Sequence, residues 1–251
     1  MTKPYYYNYE YIYQKNIKNQ DFFVPSFSLI DFYQQEIKSK VRQHFVTDLN
    51  ILELGCGQGS FFEGISEEHI DVMAIDISPT AIEIAKENQK IKSAKKIKYV
   101  CADVCELNLE KKFDLVMDAH VLHCLCRNEE RDRYYKNIFN HTASDGFFAF
   151  ETMLAHKRMD FENGFYFHQE EQTLFKEIFD ENFCDLRTFY GQRYMPIRSI
   201  KNSHDIEREL KNAGFKIIFF QILSGYKVIY NEKRLKAEDG DPDLLRVICR
   251  K

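Results

Sequence analysis

The chain has 251 residues, 44% of them hydrophobic and 29% charged, with a formal net charge of −4. That length holds one α/β domain with additions, or at most two small domains, and supports a sizeable core. The slight acidic balance, with Lys95-Lys96 and Lys111-Lys112 reading as solvated faces, excludes a phosphate-tracking surface, so no nucleic-acid partner is expected. No apolar stretch approaches the ~18 residues of a membrane span, and the N-terminus lacks the continuous apolar core of a secretory signal. The 7 cysteines are scattered and odd in number. They point to a reducing cytoplasm, with Cys56, Cys101 and Cys249 acting as small hydrophobes in or beside apolar strands.

Residues 1 to 32 form an aromatic lead in a chain with 15 Tyr, 22 Phe and no Trp. Tyr6, Tyr9 and Tyr13 share one helix face, with Ile12 beside it. Such a helix either packs its rings on the body of the domain or closes over a crevice and lends hydroxyls to a substrate pocket. Residues 28 to 45, with Leu29, Ile30, Phe32, Tyr33, Ile37 and Val41, read as an amphipathic helix leading into a first strand.

That strand is the most informative stretch. Ile51, Leu52 and Leu54 make the short apolar run of a strand covered on both faces. Gly55, Gly57 and Gly59 follow, where the backbone can turn sharply and come close to a ligand. A second strand, Asp71 to Ile77, brings Asp76 to the end of an α/β unit, where a carboxylate can hold a ribose diol. Ser78-Pro79 then starts a helix. Further strands end near Asp103, Asp118 and Glu151, which describes a parallel sheet with a ligand crevice along one edge. The third glycine comes one position too early for the dinucleotide fingerprint.

Glu53-Leu54-Gly55-Cys56-Gly57-Gln58-Gly59, Asp76-Ile77-Ser78-Pro79, Ala102-Asp103-Val104 and Phe113-Asp114-Leu115-Val116-Met117-Asp118 together resemble the ordered motifs of class I S-adenosylmethionine-dependent methyltransferases of the small-molecule type. The resemblance implies an α/β, Rossmann-like fold. Its seven-stranded, mostly parallel sheet would carry an antiparallel C-terminal hairpin, an N-terminal helical cap and a lid insertion. The expected division of this single domain is cap helices over 1–45, cofactor-binding core over 46–153, substrate lid over 154–195, and a C-terminal helix and strand pair over 196–251. Glu53 with the backbone of Gly55, Cys56, Gly57 and Gly59 would hold the methionine end of S-adenosyl-L-methionine. Asp76 would take both ribose hydroxyls, Ile77 would lie against the adenine, Asp103 would accept from its amino group, and Val104 would donate its backbone N–H to the ring. Ala119 and His120 would pass under the sulfonium. The product would be S-adenosyl-L-homocysteine.

The helix from about Asn128 to Thr142 buries Tyr134, Tyr135, Ile138 and Phe139, and Asp145-Gly146 turns into the fifth strand. From Leu154 to about Met195 the chain is aromatic and acid-rich, and Glu170 to Phe179 is expected to be helical. A helix over Ser203 to Asn212 ends at Gly214. Lys216 to Leu223 and Leu244 to Arg250 are expected to pair antiparallel, joined by a connection ending in Glu238-Asp239-Gly240-Asp241-Pro242.

If the acceptor is an amine or hydroxyl, a base must take its proton, and His120, His123 and Glu151 sit at the right strand ends. His120, His123, Cys124 and Cys126 are zinc-type ligands, but they bridge a strand end and a short helix without a second cluster, so no metal is expected. Asp118-Ala119-His120-Val121 lacks the proline-bearing amide clamp of adenine and glutamine methylases. Tyr9, Tyr13, Tyr166, Arg193 and Tyr194 are the candidate substrate contacts. An aromatic enclosure suits a cationic amine, whereas Arg193 or Arg198 suits a carboxylate or phosphate; the sequence leaves both open. The expected protein is a monomer or homodimer acting on a small molecule at N, O or S. The alternatives are a methyltransferase of protein side chains or termini, and a catalytically silent cofactor-binding subunit.

Overall fold

The computed structural model describes residues 5–16, 26–92, 97–155, 159, 161, 163–178, 185–224, 226–228, 234–236 and 242–251. Phe22 and Phe23 of the aromatic lead, Phe179, and the expected turn over 238–241 lie outside them.

A 3₁₀ turn, Tyr5–Tyr7, runs into α1 (Asn8–Asn16). α2 (Phe27–Phe32) starts at Ser26, passes through a π-type turn (Tyr33–Ile37) and continues as α3 (Lys38–Arg42). The helix expected over 28 to 45 is thus one winding unit with a wide turn inside it. Tyr33, Ile37 and Val41, four residues apart, are all fully buried along it. Next come β1 (Leu49–Leu54), β2 (Ile70–Asp76), α4 (Pro79–Lys92), β3 (Lys98–Cys101) and β4 (Phe113–Asp118). α5 (Asn128–His141) and β5 (Thr142–Leu154) complete the alternating part. The remaining strands are β6 (Phe165–His168), β7 (Thr173–Glu177), β8 (Arg187–Phe189) and β9 (Gln192–Ser199). After α6 (Ser203–Asn212) come β10 (Lys216–Leu223), the short pair β11 (Tyr226–Val228) and β12 (Arg234–Lys236), and β13 (Asp243–Arg250).

The main sheet has the order β10-β13-β5-β4-β1-β2-β3. β3, β2, β1, β4 and β5 run parallel, and β13 and β10 are antiparallel. This is the expected Rossmann-like arrangement with its antiparallel close. Chain order reverses between β1 and β4, and that switch point is where open α/β sheets hold ligands. Register sets the strand ends level: Leu54 lies opposite Ile75 and Asp118, and Asp76 opposite Cys101. Every loop leaving these strands therefore emerges along the same edge.

Alternation along each strand feeds two separate hydrophobic layers. Leu52, Leu54, Val116, Phe148 and Phe150 point to the layer that holds Tyr134, Tyr135 and Ile138 of α5 and Leu210 of α6. Ile51, Leu115, Met117, Phe147 and Ala149 point to the opposite layer, with Phe32, Tyr33 and Ile82. Burial on both faces explains why β1 and β4 read as continuous apolar runs.

The region after β5 departs from expectation. Glu170 to Phe179 was expected to be helical; instead Glu170 to Gln172 turn and Thr173–Glu177 form β7 of a four-stranded antiparallel sheet, β6-β7-β9-β8. Gln172 has a left-handed φ of 51°, which breaks helical winding. Thr173, Leu174 and Phe175 suit a pleated, half-buried strand and pair with His168, Phe167 and Tyr166 on one side and with β9 on the other. β9 carries this sheet on to Ser199. Among the described residues, no helix is long and apolar enough to cross a membrane.

Candidate active site

The glycine turn after β1 is held from below and above. Gly55 (φ 78°) and Gly57 (φ 54°) adopt left-handed backbone, which favours glycine. A Cβ on Gly55 would collide with the Val121 side chain and lie 3.3 Å from the Ala119 carbonyl. Gly55 is thus required by the loop after β4 as well as by its own φ. A Cβ on Gly57 would instead lie 2.7 Å from the Tyr13 hydroxyl. Cys56 is buried beside it, and Gly59 closes the turn by donating to the Cys56 carbonyl at 3.1 Å. Glu53 is buried beneath the turn, where it accepts from the Ser60 hydroxyl and from Phe61 N at 3.3 Å. Burial pushes its carboxyl up to about 8, against the lowering effect of these bonds.

Asp76 joins this turn to the end of β2. Oδ2 accepts from Gly57 N and Oδ1 from Ser78 N, each at 2.9 Å. Burial raises its pKa even so. Ile77 is partly buried against the layer that includes Val104. Asp103 caps the short turn Val104–Glu106, accepting from Cys105 N at 2.8 Å, while its Oδ2 accepts from the Tyr6 hydroxyl at 3.1 Å.

Sequence reading did not foresee how fully the N-terminal segment engages this edge. Tyr5 donates to Glu130 Oε2 at 2.7 Å and anchors the lead at the start of α5. Glu10 accepts from the Ser78 hydroxyl, and from Thr80 N and Oγ1 at 3.2 and 2.6 Å. A carboxylate at the N-terminus of the 14-residue α4 is also favoured by the helix dipole. Burial acts to raise the Glu10 pKa, but the bonds from Ser78, Thr80 and Gln14 outweigh it, and the net shift is downward. The only sequence signal was a carboxylate set among tyrosines, and nothing in the pattern tied it to Ser78. The turn Tyr5–Tyr7 and α1 together therefore run along this edge from Asp103 to Gly57.

The loop after β4 is fastened by Asp118. Its buried carboxylate accepts from Val121 N at 2.7 Å, Leu122 N at 2.9 Å and the Tyr134 hydroxyl. Ala119 N donates to the Leu54 carbonyl at 2.8 Å, locking the loop to the glycine turn. His120 has φ 73°, an uncommon conformation for a residue with a side chain. Its Nε2 lies 3.4 Å from Glu151 Oε2. Glu151 is fully buried, and its Oε1 accepts from Ser28 Oγ at 2.8 Å and Arg246 Nε at 2.7 Å. Burial would raise the Glu151 pKa, but the bond to and charge of His120, with Arg246 and Ser28, bring it below the ordinary value. An ionised carboxylate only accepts, so Nε2 of His120 is the donor of this pair, and whenever the imidazole is neutral Nδ1 is its acceptor nitrogen. The His120 side chain is 38% exposed.

His123 stands differently. It is buried, its Nδ1 has no partner among the described residues, and burial pulls its pKa down to about 3. The imidazole is neutral and enclosed. Its ring lies 5.9 Å from that of His120.

The candidate substrate residues separate into groups. Tyr9 lines a cavity between the N-terminal segment and the four-stranded sheet, and its hydroxyl reaches Cys124 Sγ at 3.2 Å. Tyr13 sits on the glycine turn instead. Tyr166 and Tyr194 pack around Phe189, at centroid distances of 4.5 and 5.7 Å. Arg193 is exposed on β9. None of these last four lines the cavity; Arg198 does.

Residues 52–150, from within β1 to within β5, match the family described as a methyltransferase domain. Malonyl-(acyl-carrier protein) O-methyltransferase from Bacillus anthracis is 26% identical over 163 residues, 64% of this chain and 55% of that protein. The chain spans about half the length of the curated relatives it matches. A solved S-adenosylmethionine-dependent methyltransferase from Clostridium acetobutylicum superimposes with a TM-score of 0.58 at 20% identity, covering 97% of this chain and 98% of that one. The N-methyltransferase NodS from Bradyrhizobium japonicum, in complex with S-adenosyl-L-homocysteine, gives 0.56 at 17% identity, with 97% and 98% covered. At such identities the structural likeness establishes the fold, while the family match falls on the segment that carries the glycine turn, Asp76, Asp103 and the loop after β4. Residues 52–150 are thus similar to a methyltransferase domain, and the chain as a whole has the Rossmann-like fold of solved S-adenosylmethionine-dependent methyltransferases.

Proposed function

We propose that this chain transfers a methyl group from S-adenosylmethionine to a small-molecule acceptor and releases S-adenosylhomocysteine. One observation carries the reading. The glycine turn, Asp76 and Asp103 stand level along the carboxyl edge, and a single segment already meets two of them with phenol hydroxyls, Tyr6 on Asp103 and Tyr13 at Gly57. An adenine amino group is a donor of the same kind as the Tyr6 hydroxyl, and the cradle over Gly57 admits a polar group where a Cβ would collide. The residues present therefore fit the cofactor.

On this reading Asp76 holds the ribose hydroxyls, Ile77 lies against the adenine, Val104 donates its backbone N–H to the ring, and Asp103 exchanges Tyr6 for the adenine amino group. The backbone of Gly55, Cys56, Gly57 and Gly59, seated on Glu53, receives the methionine end. When bound, S-adenosylmethionine supplies a methyl already activated on a sulfonium, which a nucleophile displaces in line. The protein's own share is alignment, exclusion of water and removal of a proton. His120 is the proposed base, taking the acceptor's proton at Nδ1, while Glu151 fixes its tautomer from the other side. His123 is not retained in that role, because it is enclosed and acidic as its conjugate acid. A compact cavity of ≈ 280 Å³ supports a small acceptor over a peptide.

Two measurements test this. Calorimetric titration of S-adenosylhomocysteine into the full chain should show stoichiometric binding; none would overturn the reading. Incubation with methyl-labelled cofactor and a metabolite extract should label a small product. Binding without any transfer would favour the silent cofactor-binding subunit.

A further inference from the structure

Interior arginines in this protein are matched to acids. Arg131 grips Glu209 through Nε and Nη2 at 2.9 and 2.6 Å. Arg246 reaches Glu151 at 2.7 Å and Asp31 at 3.1 Å. Arg198 breaks this pattern. Its Nη1 donates to the Tyr9 hydroxyl and to the Ile197 carbonyl, the latter at 2.8 Å, and the guanidinium stands 5.5 Å from the Tyr9 ring centroid. No carboxylate among the described residues pairs with it. Burial alone pulls its pKa down to about 10, the mark of a cation short of an anion.

Arg198 lines the ≈ 280 Å³ cavity between the N-terminal segment and the four-stranded sheet, together with Lys176, Phe165, Tyr5, Tyr6 and Tyr9. Among the described residues the lining contains two cations and no acid. A desolvated guanidinium with free donors is the group of choice for carboxylate and phosphate oxygens. A void of about 150 Å³ suffices for benzene, so this cavity has room for one substituted ring among its aromatic walls. It also shares a wall with the crevice, since Tyr6 reaches Asp103 and Tyr9 reaches Cys124 in the loop after β4.

We propose that this cavity is the acceptor subsite and that it selects an anionic acceptor, its carboxylate or phosphate paired with Arg198 and supported by Lys176. The proposal rests on the methyltransferase reading and narrows it. Of the two acceptor classes the sequence left open, it takes the anion, because among the described residues a cationic amine would meet two like charges and no carboxylate.

The test uses simple isosteres, since the acceptor is unidentified. Benzoate, phenyl phosphate, benzamide and benzylammonium are titrated by ligand-observed NMR into the full chain saturated with S-adenosylhomocysteine. At least one anion should bind tenfold or more tighter than benzamide, with benzylammonium weakest; the two anions separate carboxylate from phosphate recognition. Arg198→Gln should erase the preference while leaving benzamide binding within about twofold. Lys176→Gln, at an exposed residue, should reduce the preference two- to threefold. Equal or tighter binding of benzamide or benzylammonium, no binding of either anion, or a preference that survives Arg198→Gln would overturn the proposal. The nucleoside titration is read separately. If it fails, the cofactor reading falls, and the isosteres titrated into the chain alone still decide the charge preference.

Discussion

If the cofactor's adenine takes Asp103 from Tyr6, removing the Tyr6 hydroxyl should tighten cofactor binding. The Tyr6 ring is 6% exposed and packs edge-on against Tyr5 at 5.4 Å and face-on against Tyr7 at 5.9 Å. Tyr6→Phe keeps those contacts and deletes only the 3.1 Å bond to Asp103 Oδ2. A hydrogen bond to a charged group contributes roughly 1.5–3 kcal/mol when enclosed. Asp103 is only partly buried, so the lower end, about 1.5 kcal/mol, applies. The free protein should lose that amount, lowering its melting temperature by roughly 3–6 °C at the ~2–4 °C per kcal/mol of a chain this size. The complex never contained the bond and should melt unchanged. Binding of S-adenosylhomocysteine must then tighten by about tenfold, the equivalent of about 1.4 kcal/mol. Calorimetry on both proteins measures it directly. A Kd equal to or weaker than that of the unaltered chain, in a variant whose free form does melt lower, would refute the exchange.

Asp76→Ala should weaken S-adenosylhomocysteine at least tenfold, about 1.4 kcal/mol, because two charge-assisted bonds to the ribose are lost; calorimetry on the folded variant checks it. For Glu53, a folded-state pKa of about 8 lies above the ordinary value of 4.5, so folding takes up a proton. Its stability contribution is full below about pH 4.5 and is lost as pH rises through about 8. Glu53→Gln should therefore flatten the fall in stability between pH 5.5 and 9 in denaturant titrations; an unaltered slope would show that Glu53 is already ionised at low pH. His120→Gln should cut turnover by roughly 10²–10⁴ while leaving S-adenosylhomocysteine affinity within about twofold, measured by product release and calorimetry; wild-type turnover would remove His120 as the base.

Much of the crevice was legible because each of its parts has a local cause. Gly55 and Gly57 need backbone that only glycine adopts freely, Asp76 ends an apolar run, and Ser78-Pro79 starts a helix. Such signals sit within a few residues of one another. Arg198 and Lys176 were harder to place, because their meaning depends on β7 and β9 lying side by side, and that pairing came from a segment read as helix. Once Gln172 turns left-handed, Thr173 to Phe175 pair as a strand, and Lys176 and Arg198 reach one cavity. Tyr166 and Tyr194, plausible by type alone, were claimed by Phe189. An aromatic side chain carries no mark of whether it faces a ligand or another ring.

The N-terminal segment ties these two regions into one device. Tyr6 answers to Asp103, Glu10 to the start of α4, and Tyr13 to Gly57, all along the carboxyl edge of the sheet. Tyr9, between them in sequence, answers to Arg198 and lines the cavity beside the four-stranded sheet. Under the proposed function, a cofactor that displaces Tyr6 and Tyr13 must shift the same helix that carries Tyr9. Freed from Tyr9, the Arg198 guanidinium gains a donor for an incoming anion. Cofactor binding should thus precede and strengthen acceptor binding, since the contacts broken for the first ligand are those that restrain the second.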